Sequence, residues 1–139
     1  CLGRVAVPLR GAVPADARLH AAGRYLLWLQ PAPDGRQHLW RLDRDALVDG
    51  PLDLDAALPV HRIELSTGDG WAATARYTPG LYVVEALWAA DPSQLSLTPD
   101  PLSARHVSVG GGHLLWAEQN GRGQWRLQHQ QLPALEGSP

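Results

Sequence analysis

One frame occurs twice along this chain, and it reads as strand, turn, strand. Leu26-Leu27-Trp28 leads through Pro31-Ala32-Pro33-Asp34-Gly35-Arg36 to Trp40-Arg41-Leu42, and Leu114-Leu115-Trp116 leads through Asn120-Gly121-Arg122-Gly123 to Trp125-Arg126-Leu127. Short Trp-containing runs with period-two alternation suit a pleated, half-buried surface. Asp-Gly and Asn-Gly supply the positive φ angles that close a tight hairpin. Each copy is preceded by an Ala-Arg pair, Ala17-Arg18 and Ala104-Arg105. Self-similarity of this kind points to a repeated β-unit. Convergent hairpin chemistry produces the same pattern, and the sequence does not choose between the two.

The intervening chain has the same rhythm. Residues 60–65 alternate, Thr67-Gly68-Asp69-Gly70 is a turn, and residues 71–77 and 81–88 read as strands around Thr78-Pro79-Gly80. Strands spaced by roughly 8–12 residues suit a sandwich, a barrel or a few propeller-like blades. A full propeller needs at least about four blades, more than this length provides. The expected fold is therefore all-β: a compact two-sheet, sandwich-like domain of antiparallel hairpins. Two stretches break the rhythm. Residues 43–58 hold five Asp and Gly50-Pro51, and predict at most one or two short helical turns capped by Asp45 or Asp53. Residues 90–103 hold Pro92, Pro99 and Pro101 and predict a surface loop. The expected organisation is a tether or edge strand over 1–15, one β domain over 16–132 and a frayed tail over 133–139.

At 139 residues one domain can bury a core without metal or disulfide staples. The formal net charge of -2 lacks the footprint of a nucleic-acid binder. No apolar run is long enough to span a bilayer. Six histidines (His20, His38, His61, His106, His113 and His129) include no close pair of zinc-site spacing, and no metal or other cofactor is expected. Asp43, Asp45, Asp49, Asp53 and Asp55 fail the EF-hand pattern, because Leu47 stands at a ligand position and no Glu closes the loop. A solvated acidic loop is the expected reading. No Ser sits in a Gly-x-Ser-x-Gly elbow. Gly110-Gly111-Gly112 lacks the Lys and Ser/Thr of a phosphate loop. Three strands could aim Glu64, Glu85 and Glu118 at one cleft as a glycosidase carboxylate set, although Glu on a strand more often marks a solvent face. No enzyme is expected. With Phe absent, the six Trp must help fill the core, each needing a partner for its indole N–H. Trp71, beside the Asp69 turn, has the composition of an interface anchor or a sugar-stacking platform, although core packing is the favoured reading even here.

The chain contains no Met, and its only Cys is residue 1, so no internal disulfide forms. Bacterial lipoproteins are cleaved immediately before a Cys that then receives acyl chains, each buried methylene contributing about 0.8 kcal/mol to anchoring. Cys1 is the expected lipidation site. Leu2 and Gly3 follow it with no Asp at the second position, which by resemblance to proteobacterial lipoproteins implies the periplasmic face of the outer membrane. The Cys1-Leu2-Gly3 start and Tyr77-Thr78-Pro79-Gly80-Leu81-Tyr82 together resemble the periplasmic immunity lipoproteins of type VI secretion systems. Members of that family often carry Cys pairs, and this chain carries none. The resemblance implies a stoichiometric inhibitor of a protein toxin that attacks peptidoglycan or lipid, with a loop inserted into the toxin's cleft. The turns expected to carry such contacts hold Asp34 and Arg36, Asp69 and Trp71, and Asn120 and Arg122, since Arg can fork onto a catalytic carboxylate. The alternative is a structural lipoprotein subunit of an envelope secretion or export assembly, which would show a larger, more apolar patch. A third reading is a carbohydrate-binding module that uses exposed Trp.

Overall fold

The computed structural model describes residues 17–56, 60–78, 81–97, 103–120 and 122–133. Apart from a single 3-10 turn at Leu47–Asp49, the regular structure of these residues is β. The first sheet contains β1 (His20–Ala22), β2 (Tyr25–Pro31), β3 (Gln37–Asp43) and β4 (Leu52–Asp53). The second contains β5 (His61–Gly68), β6 (Trp71–Thr78), β7 (Leu81–Trp88) and β8 (Asp91–Leu97). The third contains β9 (Ser103–Gly110), β10 (His113–Gln119) and β11 (Trp125–Gln131). Each is an antiparallel meander whose strands lie in chain order. The all-β, sandwich-like domain of antiparallel hairpins is thus present, and both copies of the repeated frame are hairpins.

The sandwich has three sheets where two were expected, because its middle sheet is apolar on both faces. Trp71, Ala73, Val84, Ala86 and Trp88 point one way and pack with Ala104, Val109, Leu114, Trp116 and Leu132. Ala72 and Leu87 point the other way and pack with Ala22, Tyr25, Leu27 and Leu39. A near-continuous apolar run such as β6 is the mark of a strand covered on both sides. Three meanders stacked face to face in chain order are the arrangement that propellers repeat radially.

A bulge in β5 decides which polar groups enter which interface. The ladder with β6 shifts register between Arg62 and Glu64. Residues two apart on a regular strand share a face; the extra residue, Ile63, separates this pair. Arg62 pairs across from Arg76 and points toward the first sheet, while Glu64 pairs across from Ala75 and points toward the third. Arg62 is 4% exposed and forks onto Asp55, with Nε donating to Oδ2 at 2.8 Å and Nη2 to Oδ1 at 2.9 Å. Its Nη1 donates to Thr74 Oγ1 at 2.9 Å and lies 3.5 Å from Glu85 Oε2. Arg76 Nε closes the set 2.7 Å from Glu85 Oε1. Burial alone pulls the Arg62 pKa down, but Asp55 and Glu85 more than offset it and hold the guanidinium above its ordinary value.

On the other face, β5 covers the open edge of β9 with side chains where a ladder would use backbone. Val107 N donates to Glu64 Oε1 at 3.1 Å, Val109 N to Ser66 Oγ at 3.2 Å, and Gly112 N to Asp69 Oδ2 at 3.0 Å. An edge whose donors are satisfied this way is closed to stray pairing. Gly68 permits the approach, since a Cβ there would lie 2.6 Å from Val109 O. Gly68→Ala is expected to force the sheets apart and reduce stability by about 1–3 kcal/mol, read from denaturant melting. An unchanged midpoint would show that the seam yields freely.

Three local expectations are corrected. Residues 91–97, read as loop, form β8, an edge strand that tolerates Pro92 near its start. The 3-10 turn is preceded by Ala46 with no side-chain cap, so neither Asp45 nor Asp53 caps it. Asp55 is not solvated but 2% exposed, because Arg62 and the Leu39 N–H hold it inside. The tether and nearly all of the expected tail lie outside the described residues.

Candidate protein-binding face

The two copies of the frame fold alike up to their turns and then diverge. In the first, Trp28 stands directly across from Trp40, and Leu26 across from Leu42. In the second, Trp116 stands across from Gln128, and Trp125 pairs instead with Gln119. The second copy is three residues shorter between its two tryptophans. An odd change in a hairpin moves every side chain of the return strand to the opposite face relative to the leading strand. The return strand turns Leu42 and Leu127 away from the middle sheet in both copies, and the leading strand is what differs: Trp116 packs against the middle sheet, where Leu27 and not Trp28 does so in the first copy. Leu42 is 5% exposed, while Leu127 at the same place in the frame is 74% exposed. Trp125 is 48% exposed beside it. Leu114 and Trp116 pack inward, and Trp125 and Leu127 share the outer face with Leu115 and Ala117. His106 stands beside them. It occupies the bulge where the β9–β10 ladder shifts register, adopts φ 61°, and sets its ring edge-on to Trp125 at 5.9 Å between centroids.

The turn leading into this face is tied down. Asn120 Oδ1 accepts the N–H groups of Arg122 at 2.8 Å and Gln124 at 3.1 Å, and its Nδ2 donates to Gln124 Oε1 at 3.0 Å. An Asx turn of this kind mimics a backbone turn. Arg122 is exposed and pairs with no acidic side chain among the described residues. The β2–β3 turn is built on the same plan, with Arg36 N donating to Asp34 Oδ1 at 2.9 Å. That N–H, helped by the Arg36 and His38 charges, holds the Asp34 carboxyl below its ordinary value. Arg36 Nη1 lies 3.4 Å from Asp34 Oδ2, so this turn presents a paired cation, whereas Arg122 has no such partner among the described residues.

The six residues expected at a partner surface do not converge. Contacts of Glu64, Ser66 and Asp69 with residues 107, 109 and 112 show that β5 and β9 run in the same direction. Asp34, Arg36, Asn120 and Arg122 therefore lie at one end of the stack, and Asp69 and Trp71 at the other. Even at the shared end, the two turns belong to sheets separated by the middle one, a distance of about two sheet spacings or ~20 Å. Trp71 is corrected outright: it is 3% exposed, edge-on to Trp88 with ring centroids 5.3 Å apart. Its small exposed part forms one wall of a recess shared with Asp69, Trp88 and Gly112. Asp69, at φ 53°, joins its own turn to the β9–β10 turn. The sequence reading missed Trp125 and Leu127, whose signal was the unequal loop length of the repeat.

No known protein family matches the sequence, and no curated protein is detectably similar to it. The remaining side-chain chemistry is dispersed. Glu85 faces the first sheet, Glu64 pairs with Arg105 at 3.2 Å, and Glu118 lies 3.7 Å from Arg126, so no carboxylate pair flanks a common cleft. The Asp residues are drawn apart by separate partners, Asp43 by Arg24 at 3.1 Å and Asp53 by the His38 ring at 2.9 Å. His113 and His129 meet edge to face, but no group of three metal-ligating side chains forms among the described residues. Of the indole N–H groups, Trp28 donates to Gln30 Oε1 at 3.0 Å, whereas those of Trp40 and Trp116 are buried without a partner among the described residues, contrary to expectation.

Proposed function

We propose that this chain is a protein-binding module, a membrane-anchored immunity protein that blocks a secreted antibacterial toxin with the outer face of its third sheet. The observation that carries this reading is the exposure of Trp125 and Leu127 beside Arg122, which has no acidic partner among the described residues, on a pinned hairpin. Trp and Arg are the residue types that dominate binding hot spots. A turn already held by Asn120 loses little further freedom on binding. Arg122 has the fork geometry to engage a carboxylate in the partner's cleft. Acylated Cys1 is the anchor in this proposal, on the periplasmic face of the outer membrane, and intact-mass measurement of the protein from its native host is expected to show the acyl chains.

The test is capture of the toxin by the soluble domain from native secretions, followed by titration of its lytic activity. Inhibition at one-to-one stoichiometry is expected. Trp125→Ala and Arg122→Ala are each expected to weaken binding by about 2 kcal/mol or more, roughly 30-fold, with unfolding changed by no more than about 0.5 kcal/mol. Binding unaffected by both substitutions would remove this face from the function.

A further inference from the structure

We propose that the recess between β1 and β5 is a binding site for a small carboxylate carried on a short apolar stem. The recess encloses about 210 Å³ and is lined by Arg18, His20, Leu29, Ile63, Glu64 and Leu65. Pockets for drug-sized ligands run to about 300–1,000 Å³, so this one suits a smaller molecule. Its chemistry is split. Leu29, Ile63 and Leu65 form an apolar wall, and Arg18 and His20 supply N–H donors on the facing segment.

The site carries uncompensated positive charge. Arg18 is exposed and pairs with no acidic side chain among the described residues. Glu64, the one carboxylate of the lining, is already engaged: Oε2 takes Arg105 Nε at 3.2 Å and Oε1 takes Val107 N at 3.1 Å. The charged group facing His20 is thus Arg18 from its own segment; Glu64 of β5 lines the recess but turns its carboxylate to Arg105 and Val107 of the third sheet, and β2 contributes only Leu29. Burial, and then the Arg18 charge, hold the His20 imidazole below its ordinary pKa. A carboxylate seated between the two would screen Arg18 and favour the imidazolium. Linkage then requires the anion to bind more tightly as His20 takes up a proton.

The experiment is an NMR titration of the domain with 3-methylbutanoate, following the His20 ring and the methyl groups of Leu29 and Leu65. A saturable shift of all three is expected, together with a rise in the His20 pKa at saturation. Affinity is expected to increase at least about threefold as pH falls from about 7.5 to 5.5, across the ordinary His range. Arg18→Gln is expected to weaken binding about tenfold or more, the effect of losing one charged hydrogen-bond donor, and as an exposed substitution it leaves folding intact. His20→Gln is expected to keep binding and lose its pH dependence. Inorganic phosphate is the contrasting probe: binding as tight as that of 3-methylbutanoate would show that the apolar wall is unused and overturn the ligand class. Absence of a saturable shift, or an Arg18→Gln protein that binds unchanged, would overturn the site. None of these outcomes depends on the toxin-binding face, which lies on the third sheet.

Discussion

Arg62→Ala is expected to remove about 3–5 kcal/mol of stability, a large share of the roughly 5–15 kcal/mol that holds an ordinary domain together. The reason is what it leaves behind. Asp55 and Glu85, each 2% exposed, would lose the guanidinium between them. Asp55 would keep only N–H donors such as that of Leu39, and Glu85 would keep Arg76. A buried carboxylate without its cation is among the most destabilising single defects a core can carry. Replacing Arg62, Asp55 and Glu85 together with apolar residues of similar volume should be far milder, because the desolvation of all three charges is then avoided. Urea melts of the single and triple variants check this. A loss below about 1 kcal/mol for Arg62→Ala would mean that water reaches the network and screens it.

Trp71→Ala is expected to cost about 3–5 kcal/mol through the cavity opened beneath Trp88. Its contrast with Trp125→Ala is the informative comparison. Both residues are tryptophans near a turn, and of the six Trp composition singles out Trp71 as the one to test as a surface anchor. The structure reverses their roles, since Trp71 is 3% and Trp125 48% exposed. Thermal melting should therefore fall steeply for Trp71→Ala and scarcely move for Trp125→Ala. Equal losses would mean that the outer face of the third sheet is packed in solution.

Much of the fold was legible because hairpins announce themselves locally. Asp34-Gly35 and Asn120-Gly121 mark turns, and the Trp-bearing runs around them alternate with period two. The number of sheets was less accessible, since it depends on which strand faces are covered. The clue was the start of β6, where Trp71, Ala72, Ala73 and Ala75 put apolar side chains on both faces, which a strand with one wet face would not show. The short strands β1 and β4 and the Pro-bearing edge strand β8 escaped notice because pairing with neighbours, more than intrinsic propensity, makes them strands. The Arg62 network was hidden for a different reason: it joins residues of β5, β6 and β7 to Asp55 of another sheet, and only the bulge at Ile63 aims Arg62 there.

The candidate site was half legible. Arg122 and Asn120 follow from turn chemistry, and their hydrogen bonds are those of an Asx turn. Asp69 and Trp71 were grouped with them by composition, which says nothing about the end of a strand at which a turn lies. Strand direction settles that, and it separates them. Trp125 and Leu127 were overlooked although the repeat contained the information, because a three-residue difference between the copies puts them on the face opposite Trp116, whereas Trp40 and Leu42 share a face with Trp28.

Amide hydrogen exchange of the domain, alone and with its captured partner, tests the binding face most directly. The account predicts slowed exchange concentrated in β11 and the turn before it, residues 122–131, with the Asp69–Gly70 and Gly111–Gly112 turns unchanged. Protection confined to those two turns, with β11 exchanging as in the free protein, would contradict it.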